Sequence, residues 1–153
     1  INIAWIAASL LVIAFAAWLI KRLCEEHLLV DAQLVTALTV LLISPVSWSH
    51  HWVWLTLIIP VFLYRALSWL STGWAAGSLL TILVAWAAML LTVPPKWWWG
   101  DQVDVHAMER YQKFWVDDFV WLTVLTVALY AAAFYASQRN RRTGTATPAP
   151  LAS

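Results

Sequence analysis

Five long apolar runs constrain this chain more than any other feature of it. They cover residues 2–20, 28–44, 51–70, 73–93 and 119–137. Each is near the roughly 20 residues that an α-helix needs to cross about 30 Å of hydrocarbon. Lipid offers no partner for an unpaired backbone group, so an open-ended crossing element must be a helix. With 63% hydrophobic and 11% charged residues, the composition excludes an ordinary soluble domain. The 13 tryptophans agree, because indoles collect at the membrane–water interface. The expected fold is an all-α integral membrane protein, a bundle of about five transmembrane helices over residues 1–137. A tail at 138–153, basic and then disordered, follows it.

The net charge of +1 says little, but the placement of the charges orients the chain. With five crossings, Lys21, Arg22, Arg65, Arg139, Arg141 and Arg142 fall on one side. That side holds six of the nine basic residues and is expected to be cytoplasmic. The stretch around His50 and the external loop 94–118 then face outward from the cell's plasma membrane. Glu25, Glu26, His27 and Asp31 are expected to be solvated loop and helix-start residues on the cytoplasmic side, and Arg65 to snorkel toward it. The lone Cys24 reads as an inert thiol at a helix end. Ile1 opens inside an apolar run with no basic leader before it, which reads as the carboxyl-terminal part of a longer protein. Nothing in the charge pattern suggests a nucleic-acid partner.

Between the second and third runs lies the polar stretch with the strongest claim to chemistry: Ser44-Pro45-Val46-Ser47-Trp48-Ser49-His50-His51-Trp52-Val53-Trp54. Polar groups beside hydrocarbon are costly unless they line a cavity or meet a partner. Pro45 lacks a backbone donor and disfavours helix at Ser44, so the second helix should end here. Ser47 or Ser49 is expected to cap the third helix, with His50 and His51 in its first turn. A helix amino end attracts phosphate, and two imidazoles there add donors or an acid for a leaving group. Adjacent histidines on a helix point about 100° apart, which makes a shared metal ion a poor fit. The plainer alternative is an interfacial turn whose Trp and His side chains anchor among the headgroups.

The block from Leu41 to Trp54, with Ser-Pro-Val-Ser-Trp-Ser-His-His-Trp at its centre, resembles a signature of family-87 glycosyltransferases. These are actinobacterial α-1,2-mannosyltransferases that use polyprenyl-phosphate-mannose. The resemblance implies part of a larger multi-span glycosyltransferase fold, with the lipid bilayer as its setting. It implies transfer of mannose from a polyprenyl-phosphate donor to a glycolipid or polysaccharide acceptor on the outer face, by an inverting displacement without a nucleotide sugar and with no cofactor. It further implies that the general base lies on an early external loop, upstream of Ile1. Donor or acceptor contacts then fall to His50 and His51, with Ser47, Ser49, Trp48 and Trp52 around them.

The external loop opens with Pro94-Pro95-Lys96-Trp97-Trp98-Trp99. Its three indoles suit stacking on a sugar or covering a lipid, and suit an aromatic belt equally. His106 and Glu109 share a face of a short helix but lack further ligands for a metal. Asp117 and Asp118 stand where a fifth helix should begin and are expected to cap it, with an acid in the reaction cavity as the alternative for Asp118. Gly73 and Gly77 fit a small-residue pattern for close helix approach. Two other functions remain open: a non-catalytic remnant of such an enzyme, and a carrier that relays protons through the His pair.

Overall fold

The computed structural model describes residues 3–43, 53–92 and 118–144. The described residues form helices and no strand: α1 (Ile3–Glu25), α2 (Leu29–Ile43), α3 (Leu55–Ser68), α4 (Trp74–Thr92) and α5 (Asp118–Gly144). Each helix falls on one apolar run. Two of them, α1 and α5, are long and apolar enough to cross a membrane, while α2, α3 and the apolar part of α4 are shorter.

The outer helices overrun their apolar runs. Helix α1 continues past Ile20 through Lys21, Arg22 and Cys24 to Glu25, because Lys, Arg and Glu favour helix as well as most apolar residues do. It stops in a left-handed cap. The Leu28 amide donates to the Leu23 carbonyl at 2.8 Å and the His27 amide to the Cys24 carbonyl at 3.1 Å, with His27 at φ +58°. Helix α5 likewise runs through Arg139, Arg141 and Arg142 to Gly144, so the start of the expected tail is helical. Residues 145–153 lie outside the described residues.

Helix α3 does not begin as the sequence suggests. Its first residue is Leu55 and its N-cap is Trp54, which makes no side-chain capping bond. Ser47, Ser49, His50 and His51, expected at this helix start, lie outside the described residues. Val53 and Trp54 form a tight 3₁₀ turn, and Thr56 Oγ1 donates back to the Val53 carbonyl at 2.7 Å. Pro60 sits inside α3 and removes one backbone donor, yet the helix continues to Ser68. It turns into α4 through a 3₁₀ segment, Leu70–Thr72, and Gly73 at φ +133°, a backbone geometry reserved for glycine. Gly77 does not mediate close helix approach: a Cβ built there meets nothing within 4 Å. The residues of α4 that pack inward are Ala75, Ala76, Leu79, Leu83 and Trp86.

Side-chain contacts fix how the helices run. Asp31, in the first turn of α2, meets Arg65, in the last turn of α3. Trp69, just past α3, packs on Tyr130 and Phe134 in the later half of α5. Trp86, late in α4, donates from Nε1 to Thr126 Oγ1, early in α5, at 3.0 Å. Together with the tight α3–α4 turn, these place the starts of α2 and α4 and the ends of α3 and α5 at one end of the bundle. The end of α2, the start of α3, the end of α4 and the start of α5 lie at the other. Leu38, Leu55, Ile58, Phe62, Leu79 and Tyr130 are among the buried residues between them.

Helix α1 is attached differently. Among its described side chains only Ala16, Leu19 and Leu23 are buried, while Ile3, Ile6, Leu10, Leu11, Ile13 and Phe15 stand exposed. A run of large apolar side chains open to water would oppose folding at about 25 cal/mol per Å². The surface suits lipid, and the protein is a membrane protein.

Candidate functional site

The end of α2 and the start of α3 bracket residues 44–52, and the end of α4 and the start of α5 bracket residues 93–117. All four helix ends belong to the same end of the bundle, so the His-bearing and Trp-bearing stretches both depart from it. Residues 53–92 separate them in the sequence, and only the antiparallel packing brings their anchor points together. Ser47, Trp48, Ser49, His50, His51 and Trp52 lie outside the described residues, as do Trp97, Trp98, Trp99, His106, Glu109 and Asp117. Asp118 is the first residue of α5, at the helix start expected for it.

The N-termini of α3 and α5 both lie at this end. Each concentrates unpaired backbone N–H groups and partial positive charge there. The N-cap of α3 offers no side-chain acceptor to neutralise them. The carboxyl ends of α2 and α4 and the acidic Asp118 share this end and offset that partial charge, so a preference for an anion must come from side chains.

The opposite end holds a polar cluster that the sequence reading missed. Asp31 is fully buried, not solvated. Arg65 grips it bidentately, Nε to Oδ1 at 2.9 Å and Nη2 to Oδ2 at 2.8 Å. Tyr130 Oη donates to Asp31 Oδ1 at 2.6 Å. Three helices, α2, α3 and α5, thus meet on one carboxylate. The Tyr130 ring is wedged against Phe62, centroids 4.2 Å apart, and tilted against Trp69 at 5.5 Å. Arg65 keeps about a quarter of its side chain exposed, so it reaches outward as a snorkelling residue does while its guanidinium is committed inward. The signal was present in the sequence as two opposite charges inside apolar runs, which hydrocarbon tolerates only as a pair. No such signal marks Tyr130. With both Asp31 carboxylate oxygens bonded and Arg65 Nε and Nη2 committed to them, the cluster is built to hold helices. Among the described residues no group of three or more His, Cys, Asp or Glu could hold a metal ion.

Comparison with known proteins gives the frame for these features. The chain is 34% identical, over 97% of its length, to a Mycobacterium tuberculosis polyprenol-phosphate-mannose-dependent alpha-(1-2)-phosphatidylinositol mannoside mannosyltransferase. This chain resembles polyprenol-phosphate-mannose-dependent mannosyltransferases over nearly all of its length. A Mycolicibacterium smegmatis protein of the same name is 36% identical over 52% of the chain. A Mycobacterium tuberculosis phosphatidylinositol pentamannoside mannosyltransferase of the same donor dependence is 35% identical over 56%. The chain spans about a third of the length of the first relative, and 21% and 17% of the other two. No protein-family model matches the chain, and no solved structure does.

Proposed function

We propose that this chain is the carboxyl-terminal portion of a multi-pass plasma-membrane mannosyltransferase, and that it holds the lipid-phosphate end of a polyprenyl-phosphate-mannose donor. The observation that carries this reading is the common end of the bundle from which residues 44–52 and 93–117 depart, in a chain related to enzymes named for that donor. The helices are five crossings of residues 1–137, and the end bearing Arg22 and Arg139 is cytoplasmic. The reacting end then faces away from the cytoplasm, where a glycolipid or polysaccharide acceptor is presented.

In this reading His50 and His51, supported by Ser47, Ser49, Trp48 and Trp52, donate hydrogen bonds to the donor phosphate. When the glycosidic bond breaks, the electron pair passes to that phosphate oxygen, and fixed donors aimed at it lower the barrier. Trp97, Trp98 and Trp99 cover lipid or stack on a sugar, and Asp118 stands at the same end of the bundle. The base that takes the acceptor hydroxyl proton belongs to another part of the longer enzyme. The carrier reading draws less support, since Asp31, the buried charged residue among those described, is bound by Arg65 and Tyr130.

The test is mannosyl transfer from radiolabelled polyprenyl-phosphate-mannose by the parent enzyme in membranes. His50→Ala with His51→Ala should lower turnover by about 100-fold or more, the usual effect of losing donors to a developing oxyanion. Unchanged turnover in a correctly inserted double variant removes these residues from the site. Absence of transfer in the unaltered parent, across a panel of glycolipid acceptors, removes the mannosyltransferase reading itself.

A further inference from the structure

A second site lies at the opposite end of the molecule, between α1 and α5. Here a cavity of about 390 Å³ is lined by Arg22 and Glu25 from α1, by Glu26 just past it, and by Tyr135, Arg139 and Arg142, among others, from α5. Its apolar wall continues down between the two helices. Trp18 stacks on Tyr135 with centroids 5.2 Å apart and rings nearly parallel, and Phe15 packs on Trp18 at 5.6 Å. Beyond them α1 presents the exposed side chains of Leu11 and, nearer its start, Ile3. A cationic rim thus opens directly onto an aromatic wall and a long apolar track.

The charges of this end favour an anion. Two carboxylates, Glu25 and Glu26, line the cavity, and the carboxyl ends of α1 and α5 add partial negative charge of roughly half a unit each. Against these stand Lys21, Arg22, Arg139, Arg141 and Arg142, all in the final turns of the same two helices. The cations prevail. Arg22 donates one N–H, from Nη1, to Glu25 Oε2 at 3.0 Å, which leaves most of its five-donor fork for a second acceptor. Both partners of that pair are about half exposed, so the bond is weak enough to rearrange.

We infer that this cavity binds the phosphate of an anionic phospholipid headgroup, with an acyl chain lying along the α1 track. The inference rests on the membrane reading of the chain and assigns the cavity no part in mannosyl transfer. A lipid fits better than a free phosphate because the cation cluster and the apolar wall are continuous, and basic residues where helices leave the membrane attract anionic lipid by about 1 kcal/mol each.

Native mass spectrometry of the full chain, released from nanodiscs of phosphatidylcholine with an equal share of phosphatidylglycerol, tests it. The unaltered protein should retain phosphatidylglycerol over phosphatidylcholine on the order of tenfold. Arg139→Gln with Arg142→Gln should abolish that preference, and Glu25→Gln with Glu26→Gln should increase it. The second pair keeps the test decisive where the first fails to fold. Equal retention of the two lipids by the unaltered protein overturns the inference, and so does a preference that neither pair changes. Displacement of phosphatidylglycerol by millimolar inorganic phosphate also overturns it, in favour of a plain anion site. Flotation with vesicles separates the two levels: a chain that floats without lipid preference loses only this site, whereas one that does not float loses the membrane reading.

Discussion

At the scale of single residues, the Asp31–Arg65–Tyr130 cluster shows what the helices require of each other. Asp31 is fully enclosed, whereas Arg65 is a quarter exposed, and this asymmetry decides which loss is worse. Arg65→Ala leaves a buried carboxylate with Tyr130 alone and should cost about 3–5 kcal/mol. Asp31→Asn keeps an acceptor for Tyr130 and lets the Arg65 head reach water, so its cost should be smaller by about 1–2 kcal/mol. Tyr130→Phe removes one bond to a charged acceptor and should cost about 1.5–3 kcal/mol. Unfolding by denaturant in detergent micelles measures all three. A cost for Asp31→Asn equal to that of Arg65→Ala would contradict the burial argument. The sequence held half of this cluster in view: it placed Asp31 in a solvated helix start because Glu25, Glu26 and His27 precede it. It missed that Asp31 lies one turn into an apolar run, where Arg65 is the charge able to meet it.

At the scale of elements, the apolar runs located every described helix but not how each one ends. Hydropathy reports where lipid stops, and the backbone stops where capping chemistry allows. Thus α1 and α5 run on through their basic residues, and α3 starts at Leu55 after a 3₁₀ turn. The α1 cap is the most exacting of these ends. His27 holds φ +58° at a position that glycine fills at no steric cost, while a side chain there costs roughly 1–2 kcal/mol. His27→Gly should therefore stabilise the α1–α2 hairpin by about 1 kcal/mol, and His27→Val should weaken it further. The midpoint of thermal unfolding in detergent reads both changes. A His27→Gly variant no more stable than the original would mean that the His27 side chain contributes something its backbone strain conceals.

For the whole molecule, the alternation of helix direction carries more than any single contact. It gathers the helix ends that bracket residues 44–52 and 93–117 at one end, and Arg22, Arg139 and Arg142 at the other. The sequence made this arrangement legible through the bias of its basic residues, although it could not show that α1 and α5 pack closely enough to frame a cavity. Three apolar helices separate Cys24 from Trp98, which puts them on opposite membrane faces if each helix crosses. Cys24 is exposed at the end of α1 and is the only cysteine, so it serves as a native reporter. A membrane-impermeant maleimide should label it in inverted vesicles and not in intact cells. A Cys24→Ser chain carrying Trp98→Cys should show the reverse pattern. Labelling of both positions from the same face would mean that one of the shorter helices, α2, α3 or α4, does not cross. Helix α2, at 15 residues, reaches only about 22 Å and would be the first to re-examine. Labelling from swapped faces would keep the bundle and invert it, moving the proposed reaction to the cytoplasmic side and the lipid cavity to the outer leaflet.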